Sequence, residues 1–132
     1  MSVRWDTTEV DGESMRMYIG VPDHPGPHPG ILIAQHAGGV DAPIQDAFHR
    51  LCREGYVAAA PELFHRQSAG LKPLERVALL RDTEILADLN AGVAHLKSSK
   101  AAPIGIIGFC MGGRVAYLGS TSIPQIRAAA VF

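Results

Sequence analysis

Cys110 lies in Gly108-Phe109-Cys110-Met111-Gly112, a G-x-C-x-G pattern. Cysteine acts as a nucleophile through its thiolate, and a helix N-terminus favours that anion through its dipole and its free N–H groups. The residues around Cys110 predict such a place. "IGIIG" (104–108) reads as a short buried strand and "MGGRVAYLGS" (111–120) as a helix. The related G-x-S-x-G pattern is a nucleophile elbow, a strand-to-helix turn too tight for side chains two residues before and after the nucleophile. Gly108 and Gly112 remove those Cβ atoms, and Gly113 allows close contact between helix and strand.

The chemistry expected of such a thiol is acyl transfer, which needs two N–H donors for the developing oxyanion. Met111, the residue after the nucleophile, supplies one. The loop "QHAGGVD" (35–41) supplies the other through Ala37, with Gly38 and Gly39 allowing close backbone approach. His36 in the same loop could take the thiol proton or hydrogen-bond a substrate carbonyl. Plainer readings compete: a small buried cysteine, glycines of an ordinary turn, a histidine satisfying a backbone group. The G-x-G-x-x-G spacing of a dinucleotide loop is absent from "GIIGFCMGG". Cys52 falls on the apolar face of its own predicted helix and is assigned to the core.

The elements that must position these residues follow from periodicity. Residues 3–10 and 15–21 flank Asp11-Gly12, a turn signal, and predict an N-terminal hairpin. "PDHPGPHPG" (22–30) is a loop. "ILIAQ" (31–35) and "YVAAA" (56–60) are strand candidates. Between them Ile44, Ala47, Phe48, Leu51 and Cys52 share one helical face, with Asp41 and Pro43 at its start and Gly55 at its end. "ELFHRQSAGLKP" is loop-like, a helix follows from about residue 74, and Ile85, Leu86, Leu89, Val93 and Leu96 mark a stronger one capped near Asp82 or Thr83. "RAAAVF" (127–132) is a last strand. Strands alternating with helices predict an α/β fold, a hairpin followed by a mostly parallel sheet with helices on both faces. Its ligand site belongs at the carboxyl ends of the strands, where the loops after Gln35, Ala60 and Gly108 emerge.

Composition excludes other classes. The 132 residues are 47% hydrophobic and 19% charged, with a formal net charge of −1, as expected of one globular domain. Basic residues do not cluster, so neither nucleic acid nor an anionic membrane is an expected partner. No apolar run spans a bilayer and no secretory signal opens the chain. Two cysteines make no disulfide framework, and a cytoplasmic setting is the expectation. No His, Cys or Asp cluster has metal-ligand spacing, so no metal is expected. His24 and His28 in the Pro/Gly loop are expected to be solvated. His49 and His95 are expected at helix surfaces, and His65 at the surface or lining the pocket.

"IGIIGFCMGGRVAY", "ILIAQHAGGVD", "EGYVAAAPELFHRQ" and "ILADLNAGVAHL" together resemble the dienelactone hydrolase family of α/β-hydrolases, from about Met15 onward. The resemblance implies cleavage of lactones or small esters by a Cys-His-Asp triad without metal or cofactor. It implies Cys110 as nucleophile and Ala37 and Met111 as the oxyanion hole. Arg66 matches a family arginine, and Arg81 is a second candidate for gripping a substrate carboxylate; these arginines suggest an anionic ester or lactone. Two departures stand out. Well-known members carry glutamate where this chain has His36. The family order is nucleophile, acid, histidine, yet residues 111–132 contain no Asp, Glu or His. The chain therefore reads as an incomplete α/β-hydrolase domain whose acid and histidine belong to a C-terminal segment. Its last strand is expected to be an uncovered edge prone to self-association. The alternative is a non-catalytic fragment or a thiol sensor in which Cys110 reacts without turnover.

Overall fold

A computed structural model describes residues 1–132. The chain runs β1 (Ser2–Val10), β2 (Glu13–Val21), β3 (Gly30–Ala34), α1 (Ala42–Arg53), β4 (Val57–Pro61), α2 (Pro73–Ala78), α3 (Asp82–Ser98), β5 (Ile104–Gly108), α4 (Met111–Ser122) and β6 (Ile126–Val131). All six strands join one sheet in the order β1-β2-β4-β3-β5-β6. The hairpin β1–β2 is antiparallel and pairs antiparallel with β4, while β3, β4, β5 and β6 are mutually parallel. The hairpin turn places both Asp11 (φ 54°) and Gly12 (φ 78°) in the left-handed region, as a two-residue turn between twisted strands requires.

The helices divide between the two faces as their apolar stripes dictate. Ile85, Leu89, Val93 and Leu96 of α3 and Val115 and Ala116 of α4 pack with Leu32 and Ile106 on one face. Ile44, Phe48 and Cys52 of α1 pack with Tyr18, Ile33 and Ala58 on the other. Each fully buried Leu, Ile or Phe contributes about 1.5–3 kcal/mol of transfer free energy, so the periodicity that set these stripes also sets the layering. No helix is long and apolar enough to cross a membrane.

The chain leaves β3 to form β4 on one side and later returns to form β5 on the other. The crevice between β3 and β5 is thus the topological switch point, where the carboxyl ends of parallel strands diverge and ligands bind. At the far edge β6 has no neighbour on its outer side, and Val131 and Phe132 are exposed.

Candidate active site

The elbow at Cys110 has the backbone that its spacing calls for. Cys110 takes φ 57° and ψ −116°, a left-handed conformation rare for a side-chain-bearing residue. Hydrogen bonds grip it from both sides: its N–H donates to Phe132 O at 3.1 Å, and its carbonyl accepts from Gly113 N–H at 2.9 Å. The two flanking glycines are explained by close approach. A Cβ on Gly108 would overlap the carbonyl group of Gly112, and one on Gly112 would stand 2.6 Å from the carbonyl oxygen of Gln35 and overlap that of Ala34. Gly113 faces the Phe132 carbonyl at 2.9 Å in the same sense. The thiol of Cys110 is exposed, whereas Cys52 is buried and its thiol is pushed up to about 11 by desolvation. Cys52 thus sits in the core, as its place on the apolar face of α1 predicts, while Cys110 is open to solvent.

The two expected oxyanion donors are free. In the first turn of α4, Gly112 N–H donates to Phe109 O and Gly113 N–H to Cys110 O, while Met111 N–H has no intramolecular acceptor. Ala37 N–H has none either. Register brings the two loops together: Ala34 pairs with Gly108 in the β3–β5 ladder, and α4 begins against the carbonyls of Ala34 and Gln35.

His36 is turned toward Asp41. Its Nε2 lies 2.8 Å from both carboxylate oxygens of Asp41. Sequence reasoning saw Asp41 only as a helix start and missed this pair; the spacing of five residues across two glycines was the available signal. Gln35, fully buried, accepts the Leu63 N–H on Oε1 at 2.7 Å and so ties the loop after β3 to the loop after β4. Those loops wall a cleft of about 540 Å³, lined by Ala37–Asp41, Arg16, Glu62, Phe64, His65, Gln67 and Arg76 among others. Cys110 is outside the cleft wall; Ala37 belongs to both the cleft and the expected oxyanion hole.

The arginines are placed differently from expectation. Arg66 is held by three carboxylates: two 3.0 Å bonds to Asp88, one of 2.9 Å to Asp11, and Glu84 at 3.4 Å. Burial opposes its charge, and these partners outweigh burial, raising the guanidinium above its usual range. Burial pushes the Asp88 carboxyl up, while Arg66 and His65 pull against it. Arg66 thus braces the β1–β2 turn, the loop after β4 and α3, away from the cleft. Arg81 is exposed at the start of α3, also off the cleft. Arg76 lines the cleft over the ring of Phe64, donating to the carbonyls of Leu71 and Ser68 and to no carboxylate. His65 takes the second of its two expected places, lining the cleft, and the surface expectation fails for His49 and His95. His65 is buried on Asp88 at 2.9 Å, because α3 carries a carboxylate inside its apolar stripe. His49 is half-buried on the Tyr18 hydroxyl, and His95 is half-buried against β1. His24 is exposed, and its carbonyl lies 2.8 Å from His28 Nε2.

The model of the dienelactone hydrolase family matches residues 15–132. The chain belongs to that family. Proteins of Synechocystis sp. and Yersinia pestis, both named "Putative carboxymethylenebutenolidase", are 37% and 36% identical to it. The matches take in 87% and 93% of this chain but 52% and 50% of those proteins. The chain thus spans about half the length of the curated relatives it matches. The crystal structure of a "Putative Dienelactone Hydrolase" from Klebsiella pneumoniae superposes with a TM-score of 0.82 at 32% identity, over 98% of this chain and 59% of that one. The dienelactone hydrolase fold, an α/β-hydrolase sheet, is therefore the fold of this chain.

Proposed function

We propose that the chain is the nucleophile-bearing part of a cysteine hydrolase acting on small esters or lactones. The strained, exposed Cys110 carries this reading, because nothing in packing requires a left-handed non-glycine residue at that joint. The thiolate attacks the acyl carbon, and the N–H groups of Ala37 and Met111 receive the oxyanion. Expulsion of the leaving oxygen gives a thioester at Cys110, which water then hydrolyses. His36, one loop away, is the local candidate to take the thiol proton. The acid and histidine of the family triad fall, by chain order, in a segment equivalent to the part of the relatives that this chain does not span.

The substrate end of the reaction belongs to the cleft. Arg66 is occupied by Asp88, Asp11 and Glu84, so an anionic substrate group is assigned to Arg76, the cleft cation without a carboxylate partner.

Mixing the protein with 4-nitrophenyl acetate tests the reading. The expected result is a burst of one nitrophenolate per chain, with the acetyl group mapped to Cys110 and lost in Cys110→Ala. A burst that survives Cys110→Ala, or no acylation at all, removes the proposal. A burst without turnover places the chain with reactive thiols that do not complete the cycle; turnover places it with the enzymes.

A further inference from the structure

Three buried polar side-chain atoms of this chain have no hydrogen-bond partner, and two of them, His65 Nδ1 and Gln67 Oε1, belong to residues of the cleft wall. Buried polar atoms in folded proteins are nearly all paired, so two unpaired ones in one loop call for an explanation. Their other contacts leave both atoms a single role. The His65 side chain is 2% exposed, and its Nε2 lies 2.9 Å from Asp88 Oδ1. Arg66 donates to both Asp88 oxygens at 3.0 Å, so Asp88 is an accepting carboxylate and Nε2 carries the ring hydrogen. The lone pair of the neutral ring then sits on Nδ1. Gln67 is fixed in the same way. Its Nε2 donates to Arg76 O at 2.9 Å, which leaves Oε1 as the free end of the amide. Both atoms accept and neither donates. The loop that carries them is tied down. Leu63 N–H donates to Gln35 Oε1 at 2.7 Å, and Gln67 N–H to Phe64 O at 3.0 Å. The acceptors are thus held in place before any ligand arrives, which lowers the ordering cost of binding.

The remaining polar side chains of the wall narrow the ligand. Arg16 pairs with Glu62 at 2.9 Å, and Asp41 with His36 at 2.8 Å. Arg76 lies over the Phe64 ring and donates to carbonyls alone. The wall therefore offers one cation without a carboxylate partner and two neutral acceptors. A ligand ammonium would satisfy the acceptors but meet the like charge of Arg76. A hydroxyl satisfies them without that repulsion. We propose that His65 Nδ1 and Gln67 Oε1 form an acceptor pair for substrate hydroxyl groups. The substrate is then an ester or lactone that carries a hydroxyl in addition to its anionic group. This assignment rests on the reading of the cleft as the substrate site of a hydrolase, and it names what that site selects. An analogue with methyl in place of hydroxyl leaves a buried acceptor unpaired, which is the strongest way a pocket rejects a ligand of matched size. Asp88 touches no ligand here; it is a positioning residue that fixes the His65 ring hydrogen on Nε2.

The test titrates protein carrying nitrogen-labelled histidine with three hydroxy acids, glycolate, 3-hydroxypropanoate and glycerate. Their methyl counterparts, propanoate, butanoate and 2-methylbutanoate, serve as the matched set. The carboxylate of each probe is the group assigned to Arg76. At least one hydroxy acid is expected to bind about tenfold more tightly than its counterpart and to move the Nδ1 resonance of His65, which the counterparts leave in place. Gln67→Met and His65→Phe are each expected to cut that preference to about threefold or less. His65→Phe also takes a partner from the buried Asp88, so if it does not fold, Gln67→Met and the wild-type resonance decide. Equal affinities within all three pairs, no binding by any hydroxy acid, or a His65 resonance that none of them moves overturns the proposal. The titration needs no reaction and is repeated in Cys110→Ala. A missing acylation burst therefore strikes the nucleophile and leaves this result standing, while equal affinities strike the acceptors and leave the burst standing.

Discussion

Cys110→Gly should make the protein more stable than Cys110→Ala, although glycine is the poorer residue almost everywhere else. The left-handed backbone at residue 110 cannot relax, because hydrogen bonds to Phe132 and from Gly113 fix it on both sides. A side-chain-bearing residue held in a sparsely populated φ/ψ region stores about 1–3 kcal/mol. Glycine removes that strain, and its extra freedom in the unfolded chain returns about 0.5–1 kcal/mol. The Cys110 side chain is exposed, so neither replacement opens a cavity. The net difference is about 1 kcal/mol in favour of glycine, which for a chain of this size is about 3–5 °C in melting temperature. Urea melts of the two variants, at a concentration where sedimentation gives a monomer, measure it directly. Both lack the thiol, so chemistry does not enter the comparison. Equal stability, or alanine ahead at an unchanged urea slope, would falsify the claim that strain is stored at this joint.

Gly112→Ala should destabilise by about 1–3 kcal/mol or more, because its Cβ meets the backbone carbonyls of β3, which cannot swing aside as a side chain could; a urea melt within 0.5 kcal/mol of wild type, below that overpacking range, contradicts the packing. Iodoacetamide at pH 8 should label one thiol, Cys110, in the folded protein and both in urea, since burial raises Cys52 to about 11. Half-burial lowers the His95 proton affinity below its ordinary value of 6.5. The unfolded chain then binds more protons below that pH, so stability should fall as pH drops through 6.5 and toward the folded value. His95→Gln should flatten that part of the stability curve, and an unaltered slope would count against it.

Much of the architecture was legible because it depends on patterns that repeat. The spacing of Ile44, Phe48 and Cys52 gave α1, and the run "IGIIG" gave β5 with its observed limits, Ile104–Gly108. β3, β4 and β6 are each shifted by a residue from their expected bounds, since short apolar runs do not mark their own ends. At the site, the elbow was legible because its glycines are forced by backbone overlap, a local effect. The ionic partners were not. Arg66 was matched to a substrate role, but Asp88, 22 positions later on α3, reaches it only once the helix packs on the sheet. The one hint was a carboxylate beside Leu89, inside the stripe that faces the core. The partner of His65 was hidden for the same reason: its burial depends on Asp88, and Asp88 depends on tertiary packing.

Several of this chain's departures from local rules converge at one end of the sheet. Cys110 adopts a conformation suited to glycine, Asp41 forgoes the cap it is placed to make, and the N–H groups of Ala37 and Met111 stay without acceptors. Elsewhere apolar stripes face the sheet, the hairpin turn has turn residues, and the buried Arg66–Asp88 pair is satisfied by several hydrogen bonds, although Lys100 is left-handed at φ 58° and His95 Nε2 is buried without a partner. A sequence under selection for folding alone would correct each departure cheaply, with glycine at 110 or a capping geometry at 41. Their concentration on the two loops that flank the switch point follows if the strain, the uncapped helix and the open donors all serve one reaction. A scattered set would have suggested indifferent packing. Gathered between β3 and β5, they support the proposed site on grounds separate from the family resemblance.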